Sequence, residues 1–258
     1  MKVVTLTAPN PGPYTLDGTR SYVLDDCAIV DPGPEIAEHI DALLSATPSL
    51  QAIFLTHRHE DHAPAAAILR ERTGALIFAP RGVEPRGDIE LADGQLYTAG
   101  SVVLEAIATP GHTAEHFCFL SDDGQLFTGD TILGEGTTTI FPPDGDMGDY
   151  IDSLQRLRDR APRLIRPGHG PAREDAGAWI TYYIEHRLER ERQILYALAQ
   201  SPAPIHELRT RIYPDLHPAL ETAAELQLTA HLAKLEGEKR VRRAEGCWVT
   251  EGMSSRTE

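Results

Sequence analysis

The chain is 258 residues long and carries a formal net charge of −15, a size that suits one large domain, or one domain of about 200 residues with a small appendage. Its acid excess opposes non-specific attraction to phosphate backbones, although a locally basic groove could still bind RNA. No apolar run approaches the roughly 20 residues that cross a bilayer, and the opening Met1–Leu6 is too short for a signal peptide, so we expect a cytoplasmic protein with no membrane partner.

The first half of the chain alternates short β-type runs with helical segments. Strands are predicted over residues 3–7, 21–24, 27–30, 52–55 and 75–78. Ile36, Ile40 and Leu43 repeat at helical spacing, which predicts an amphipathic helix between residues 34 and 47. Pro64 suits the first turn of a second helix, because that position needs no backbone N–H. Residues 80–94 are predicted to form a loop.

The middle of the chain repeats this mixture. Strands are predicted over residues 96–97, 102–107, 117–120, 125–128 and 164–165, with a helix over residues 151–157. Asp122-Asp123-Gly124 predicts a hairpin turn. Two successive sets of strands with interspersed helices indicate an α+β fold, an αββα sandwich of two sheets flanked by helices.

The last part of the chain predicts a small second domain. Apolar positions from Ile180 to Leu198 indicate one long helix or two short ones, and residues 201–204 resemble a linker. Helices around residues 205–212 and 228–235 and a hairpin over 240–250 follow in the order of a winged helix. We expect a large first domain over residues 1–200, a winged helix over 201–252 and a disordered tail over 253–258.

A cluster of histidines follows the predicted strand at residues 52–55. The stretch Thr56-His57-Arg58-His59-Glu60-Asp61-His62 lies where this strand leads into a helix. Alternate residues of an extended segment point the same way, so His57 and His59 could reach one metal ion. Asp61 and His62, turned by the start of the helix, could reach a second.

Further metal ligands are predicted at the ends of later apolar segments, at His112, Asp130 and His169. The combined set contains imidazoles and carboxylates. The thiols of Cys27, Cys118 and Cys247 lie far apart, outside any CxxC spacing, and predict neither a disulfide nor a thiolate site. Nitrogen and oxygen ligands suit zinc, so we expect two Zn²⁺ ions, with manganese or iron as alternatives.

These motifs resemble the metallo-β-lactamase superfamily of binuclear hydrolases. The resemblance covers the histidine stretch, Gly111-His112-Thr113, Gly129-Asp130 and Gly168-His169-Gly170. It implies that His57, His59 and His112 hold one metal, that Asp61, His62 and His169 hold the other, and that Asp130 bridges them. A pair of divalent ions roughly 3.5–4 Å apart supplies a hydroxide nucleophile and a Lewis acid. Asp61 is the candidate catalytic residue, because it could also hold or accept the proton of the water.

Within the superfamily, the chain is similar to the branch that contains the mitochondrial β-lactamase-like endoribonuclease. This similarity rests on the opening Asn10–Leu16, on residues 133–138 and 183–187, and on the winged-helix order at the end. Substrate contacts are hypothesised for His186, Arg187, Thr137 and Thr138. For the first two the alternative is a solvated helix face, and for the threonines it is loop geometry. His116 is expected to pack beside the ligands.

Three functions remain open on the sequence. The first is a metal-dependent phosphodiesterase for single-stranded RNA, favoured by the whole-chain similarity and by local positive charge at Lys234, Lys239, Arg240, Arg242 and Arg243. The second is a thioesterase for carrier-protein or coenzyme A esters. The third is a nucleic-acid-binding protein without catalysis. The winged helix could equally pack against its neighbours or form a homodimer.

Overall fold

Two β-sheets form the centre of the larger part of the chain, in a computed structural model that describes residues 1–251. The predicted tail, residues 253–258, lies outside this range. The first sheet has six strands in chain order, β1 (Val3–Thr7), β2 (Arg20–Leu24), β3 (Ala28–Val30), β4 (Ala52–Phe54), β5 (Leu76–Ala79) and β6 (Ile89–Glu90). β1, β2 and β3 pair antiparallel, and β3 to β6 pair parallel.

β6 is a correction to the prediction of a loop over residues 80–94. It pairs through Ile89 and Glu90 with Phe78 and Ala79 of β5. A strand of two residues is too short to show an alternating pattern in the sequence.

The second sheet has the order β11-β10-β9-β8-β7. Its strands are β7 (Leu96–Ala99), β8 (Val102–Ala108), β9 (Phe117–Ser121), β10 (Gln125–Gly129) and β11 (Leu164–Pro167). Neighbours pair antiparallel except β10 and β11, which are parallel. The predicted hairpin turn between β9 and β10 is confirmed, and Gly124 adopts a φ of +82° there.

Helices cover the outer faces of both sheets. They are α1 (Ala37–Ala46), α2 (Ala65–Thr73), α3 (Met147–Asp159) and α4 (Ala176–Gln200). Tyr22 and Phe54 of the first sheet pack against Phe119 and Phe127 of the second, which forms a core between the sheets. Separate apolar clusters join α1 and α2 to the first sheet and α3 and α4 to the second. The predicted αββα sandwich is therefore confirmed.

The remaining residues form the predicted winged helix. It consists of α5 (Ile205–Ile212), a 3₁₀ turn (Pro218–Leu220), α6 (Glu221–Gly237), β12 (Val241–Ala244) and β13 (Cys247–Thr250). Ala203 pairs with Trp248 and extends the hairpin by an extra bridge.

α4 is one continuous helix that belongs to two cores. Ile180 and Tyr183 pack under the second sheet, whereas Ile194 and Leu198 pack with α5, α6 and the hairpin. The domain boundary predicted between residues 200 and 201 stays a prediction, because the helix that ends there serves both parts. Within residues 1–251, neither α4 nor any other helix combines the length and the hydropathy that crossing a membrane requires.

A buried carboxylate fastens the winged helix to α4. Glu191 lies 2.9 Å from Lys234 Nζ and 3.6 Å from Arg240 Nη1, and only 3% of its side chain is exposed. Burial alone would raise the pKa of Glu191, but hydrogen bonds with His231 and Lys234 and the lysine charge lower it. Because the pKa of this carboxyl is lowered by folding, its stabilisation is present above the ordinary value of about 4.3 and is lost as the pH falls below it.

Glu191→Gln should lower the free energy of unfolding by about 2 kcal/mol, because the buried side chain loses its charge-assisted hydrogen bond with Lys234, although Lys234 keeps Glu238 as a second partner. Urea denaturation at neutral pH measures this change. Glu189→Gln is the matched control on the same helix, since Glu189 is exposed and forms its ion pair with the exposed Arg192. Equal stability of the Glu191 variant and the control would contradict a structural role for the buried ion pair.

Candidate metal centre

All the predicted ligands meet at one edge of the sandwich, where strands of both sheets end. The histidine stretch follows β4 and precedes α2, and the other ligands follow β8, β10 and β11. The carboxyl ends of parallel neighbours lie at the same edge of a sheet, which brings loops distant in sequence together.

The first group of ligands contains His57, His59, His112 and Asp130, whose ligand atoms lie within 4.8 Å of one another. His59 Nδ1 is 2.9 Å from His57 Nε2 and 3.2 Å from His112 Nε2. Asp130 Oδ2 is 3.6 Å from His112 Nε2. Three imidazole nitrogens and one carboxylate oxygen therefore converge on one point.

The second group contains Asp61, His62 and His169. Asp61 Oδ2 lies 3.1 Å from His169 Nε2 and 3.4 Å from His62 Nε2. The other oxygen of Asp130, Oδ1, lies 3.3 Å from His169 Nε2 and 3.4 Å from His62 Nε2. Asp130 thus directs one oxygen towards each group, as a bridging ligand requires.

Hydrogen bonds fix which ring nitrogen of each histidine faces the centre. Four of the imidazoles direct Nδ1 at an oxygen outside the cluster, namely His57 at Thr56 Oγ1, His62 at Asp31 Oδ2, His112 at Thr139 O and His169 at Gly18 O. A proton on Nδ1 leaves a lone pair on Nε2. These rings are therefore oriented as metal ligands before any ion is bound.

Asp31 is a supporting residue that the sequence did not reveal. Its Oδ2 accepts from His62 Nδ1 at 2.9 Å and from the Thr56 hydroxyl at 2.7 Å, while its Oδ1 accepts from the Thr56 N–H at 2.8 Å. The sequence showed Asp31 only as the end of a strand. Its position is explained by the parallel pairing of β3 with β4, which places Asp31 beside the start of the histidine stretch.

Asp31→Asn should weaken the binding of a metal ion by about 10-fold or more, as is usual when a carboxylate that orients a histidine ligand is lost. The amide has the same shape as the carboxylate, but one of its two oxygens is replaced by an NH₂ group. At least one of the three hydrogen bonds that Asp31 accepts from Thr56 and His62 is then lost. Titration of metal-free protein with Zn²⁺ measures the change. Asp26→Asn is the matched control, because Asp26 also has a positive φ and lies in the β2–β3 turn. Unchanged affinity for the Asp31 variant would contradict the orienting role.

His116 supports the centre without joining either group of ligands. Its Nδ1 lies 3.0 Å from Thr109 Oγ1, and its Nε2 accepts from the backbone N–H of Asp130 at 3.3 Å. The ring stacks on His57, with 4.8 Å between centroids. This agrees with the expectation that His116 packs beside the ligands.

The charges of the cluster favour a bound cation. Burial alone would raise the pKa of Asp61 and of Asp130, but neighbouring His62 and His169 hold both well below the usual range. Burial would lower the pKa of His169, yet Asp130 and Asp61 raise it to about 9. The carboxylates thus stay ionised, and the positive charge that they attract can come from protons or from metal ions.

The residues present fit a pair of metal ions. Asp130 Oδ1 is buried and has no hydrogen-bond partner among the residues the structure describes. Ring nitrogens of different histidines face one another at 2.9–3.3 Å, an arrangement that a shared cation stabilises. The cluster could therefore hold a dinuclear metal centre, and its donors leave the identity of the metal open.

Two cavities open onto these ligands, with volumes of about 380 and 200 Å³. Both are lined by Tyr14, His112, Asp130 and Thr139. The larger is also lined by Phe141 and Asp144, and the smaller also by Pro13, Leu16, Leu133, Glu135, Gly136, Thr137 and Thr138. Tyr14 is 64% exposed, so a substrate can reach it.

The hypothesised substrate contacts divide into two kinds. Thr137 lines the smaller cavity, whereas the hydroxyl of Thr138 is buried and donates to the backbone oxygen of Asp130. Arg187 is 2% exposed, donates to the backbone oxygen of Thr138 and lies over the Tyr150 ring, so its contact with a substrate stays a prediction. His186 is half-buried and is not among the side chains that line either cavity. Burial and the neighbouring Arg187 lower the pKa of His186 to about 4.

Comparison with known families agrees with this geometry. The family model of the Metallo-beta-lactamase superfamily matches residues 14–87 and 78–169, and that of the Beta-lactamase associated winged helix domain matches residues 205–248.

Curated relatives and a solved structure extend the similarity to most of the chain. A Beta-lactamase-like protein 2 homolog from Caenorhabditis elegans is 36% identical and is matched over 90% of this chain and 83% of its own length. An Atrochrysone carboxyl ACP thioesterase from Aspergillus chevalieri is 32% identical over 78% of this chain and 67% of its own length. The crystal structure of a metallo-beta-lactamase family protein from Thermus thermophilus has a TM-score of 0.80 at 20% identity and covers 96% of this chain and 98% of its own. The chain therefore belongs to the metallo-beta-lactamase superfamily of hydrolases and carries a beta-lactamase-associated winged helix.

Proposed function

We propose that this protein is a two-metal hydrolase that cleaves acyl thioesters. The observation that carries the proposal is the charge of the cavities above the candidate metal ligands. Their lining side chains are neutral or acidic, and no lysine or arginine is among those that line them within residues 1–251. The reacting carbonyl of a thioester is uncharged and tolerates such walls, whereas the reacting phosphodiester of RNA is an anion that Glu135 repels. Asp144 contributes less to this repulsion, because it is paired with Arg58.

The protein's own residues would bind the substrate and handle the proton. Two divalent ions held by the cluster supply a nucleophilic oxygen from water and polarise the substrate carbonyl. The Asp61 carboxylate lines the larger cavity, where it can orient the attacking water, accept the proton that this water loses and return it to the leaving group. Thr19 donates to Asp61 Oδ2 at 2.9 Å and holds the carboxylate in place. The C–S bond then breaks, and the leaving thiolate takes up a proton.

The similarity to a thioesterase supports this substrate class. The Aspergillus relative is named as a carboxyl ACP thioesterase, and the match to it covers 78% of this chain. Tyr14, Phe141 and Leu133 provide apolar surface beside the ligands, which suits the carbon chain of an acyl group.

Hydrolysis of single-stranded RNA is the second candidate. It is supported by the winged helix and by the similarity to the endoribonuclease branch, and Lys239 is exposed without an acidic partner among the described residues. Several basic side chains that favoured RNA in the sequence are engaged in ion pairs, namely Lys234 and Arg240 with Glu191 and Glu238, and Arg242 with Glu251. Local positive charge available to a phosphate backbone is therefore smaller than the sequence indicates.

A parallel assay distinguishes the candidates. Metal-loaded protein is incubated with an acyl coenzyme A and, separately, with labelled single-stranded RNA. We expect release of free thiol with the coenzyme A ester and intact RNA. Cleavage of the RNA alone would overturn the thioester proposal in favour of the second candidate. RNA binding without turnover of either substrate would instead support a non-catalytic nucleic-acid-binding protein. The Asp61→Asn variant controls for contaminating activity, because it removes the proposed proton acceptor.

A further inference from the structure

A short loop beside the candidate metal centre is held from three directions. The backbone oxygen of Thr139 accepts from His112 Nδ1 at 2.9 Å. The preceding backbone oxygen, that of Thr138, accepts from Arg187 of α4. The following backbone N–H, that of Ile140, donates to Gln227 Oε1 at 3.1 Å. Residues 138–140 thus connect a candidate metal ligand to two helices.

Gln227 belongs to α6, a helix of the winged helix rather than of the sandwich. Three residues further along α6, and so on the same side of the helix, Ala230 is buried in the apolar cluster that contains Ile140 and Tyr150. α6 therefore packs directly against the loop and against α3. The ion pair between Glu191 and Lys234 fixes the same helix to α4.

We propose that Gln227 is a positioning residue, through which the winged helix sets the orientation of His112 in the metal centre. The inference rests on one part of the proposed function, namely that His112 is a ligand of the metal centre. It assigns the winged helix a role inside the hydrolytic site, whatever substrate that site takes.

The physical reason is the geometry of the loop. The Nε2 atom of His112 faces His59, while Nδ1 on the other side of the ring donates to the Thr139 oxygen. If that oxygen moved, the ring would lose the hydrogen bond that holds it in this orientation. Ile140 N–H and the Thr139 oxygen belong to the same planar peptide unit, so the bond of this N–H to Gln227 limits rotation of the plane that carries the oxygen. Arg187 limits the same loop from the other side, through the Thr138 oxygen. Substitution of a group that orients a metal ligand typically lowers metal affinity by about 10–100-fold.

The test compares metal uptake by variants at position 227. Gln227→Met keeps the approximate size of the side chain but removes the acceptor, and Gln227→Ala removes it without new bulk. Gln227→Glu retains an oxygen for Ile140 N–H and serves as the conservative rescue. Gln200→Met is the matched control, because Gln200 is exposed at the end of α4. Metal-free proteins are titrated calorimetrically with Zn²⁺, and thermal unfolding verifies that each is folded.

We expect the Met and Ala variants to lose about 10-fold or more in affinity for one of two bound ions and to leave the other unchanged. The Glu variant and the Gln200 control should bind as the wild type does. Amide hydrogen exchange at Ile140 should accelerate in the Met and Ala variants. Wild-type affinity for both ions in a folded Met or Ala variant, or an equal loss in the Glu variant, would overturn the inference.

Failure of the proposed function gives a different result. If the wild type takes up two ions but hydrolyses neither substrate, the proposed function is wrong and the titration still decides the role of Gln227. If the wild type binds no ion at all, both proposals are wrong. In a variant that does not fold, the other substitution at the same position supplies the measurement.

Discussion

Asp130→Ala should reduce kcat/KM for hydrolysis by at least about 10³-fold, a loss of about 4 kcal/mol in transition-state stabilisation. Asp130 faces both groups of ligands, with Oδ2 near His112 and Oδ1 near His62 and His169. Its removal takes a ligand and a negative charge from both sites at once. Steady-state kinetics on metal-loaded protein, with the substrate that the parallel assay identifies, measure the effect.

The matched control is Asp122→Ala, in the exposed turn between β9 and β10. It removes the same functional group at the opposite end of β10 from Asp130 and should leave the kinetics unchanged. Retention of near-wild-type turnover by the Asp130 variant would count against a bridging carboxylate, and with it against the two-metal assignment.

Removal of metal with a chelator should end hydrolysis and lower the unfolding temperature, while leaving the sandwich folded. The apolar clusters between and outside the sheets contain none of the candidate ligands, so the fold does not depend on them for its cores. Ions that bind only the folded chain stabilise it by about 4 kcal/mol when present at 1,000 times their Kd. Circular dichroism during heating, with and without chelator, measures both parts of this prediction.

Restoring Zn²⁺ to the chelated protein should recover activity as well as thermal stability. A chelated protein that keeps full activity after its metal content has fallen to zero would contradict metal-dependent hydrolysis. The His57→Ala variant provides the comparison, because it should respond less to added metal than the wild type does.

The sequence predicted the ligands of the candidate centre better than it predicted their support. The spacing of His57, His59, Asp61 and His62 is local, so an extended segment followed by a helix is enough to predict how they group. The role of Asp31 depends on the pairing of β3 with β4, which lies beyond any local pattern. The contact of Thr139 with His112 uses a backbone oxygen, and a backbone group has no signature in the residue type.

α4 shows why the alternative of a solvated helix face does not hold at Arg187. The charge run from Glu185 to Arg192 indicated a solvated face. Yet Arg187 and Glu191 continue the three- and four-residue spacing of Tyr183 and Ile184, and the structure buries them on that same face. The spacing was a signal available in the sequence. Burial follows because each charge has a partner, the Thr138 oxygen for Arg187 and Lys234 for Glu191, and those partners come from distant segments.

The central claim is that this cluster holds two metal ions with Asp130 between them. An X-ray crystal structure of protein soaked in Zn²⁺, with anomalous data collected at the zinc edge, tests it most directly. We predict two anomalous peaks, one about 2.0–2.1 Å from ring nitrogens of His57, His59 and His112 and one at that distance from those of His62 and His169. Two peaks placed elsewhere, or no peak at these histidines, would contradict the claim.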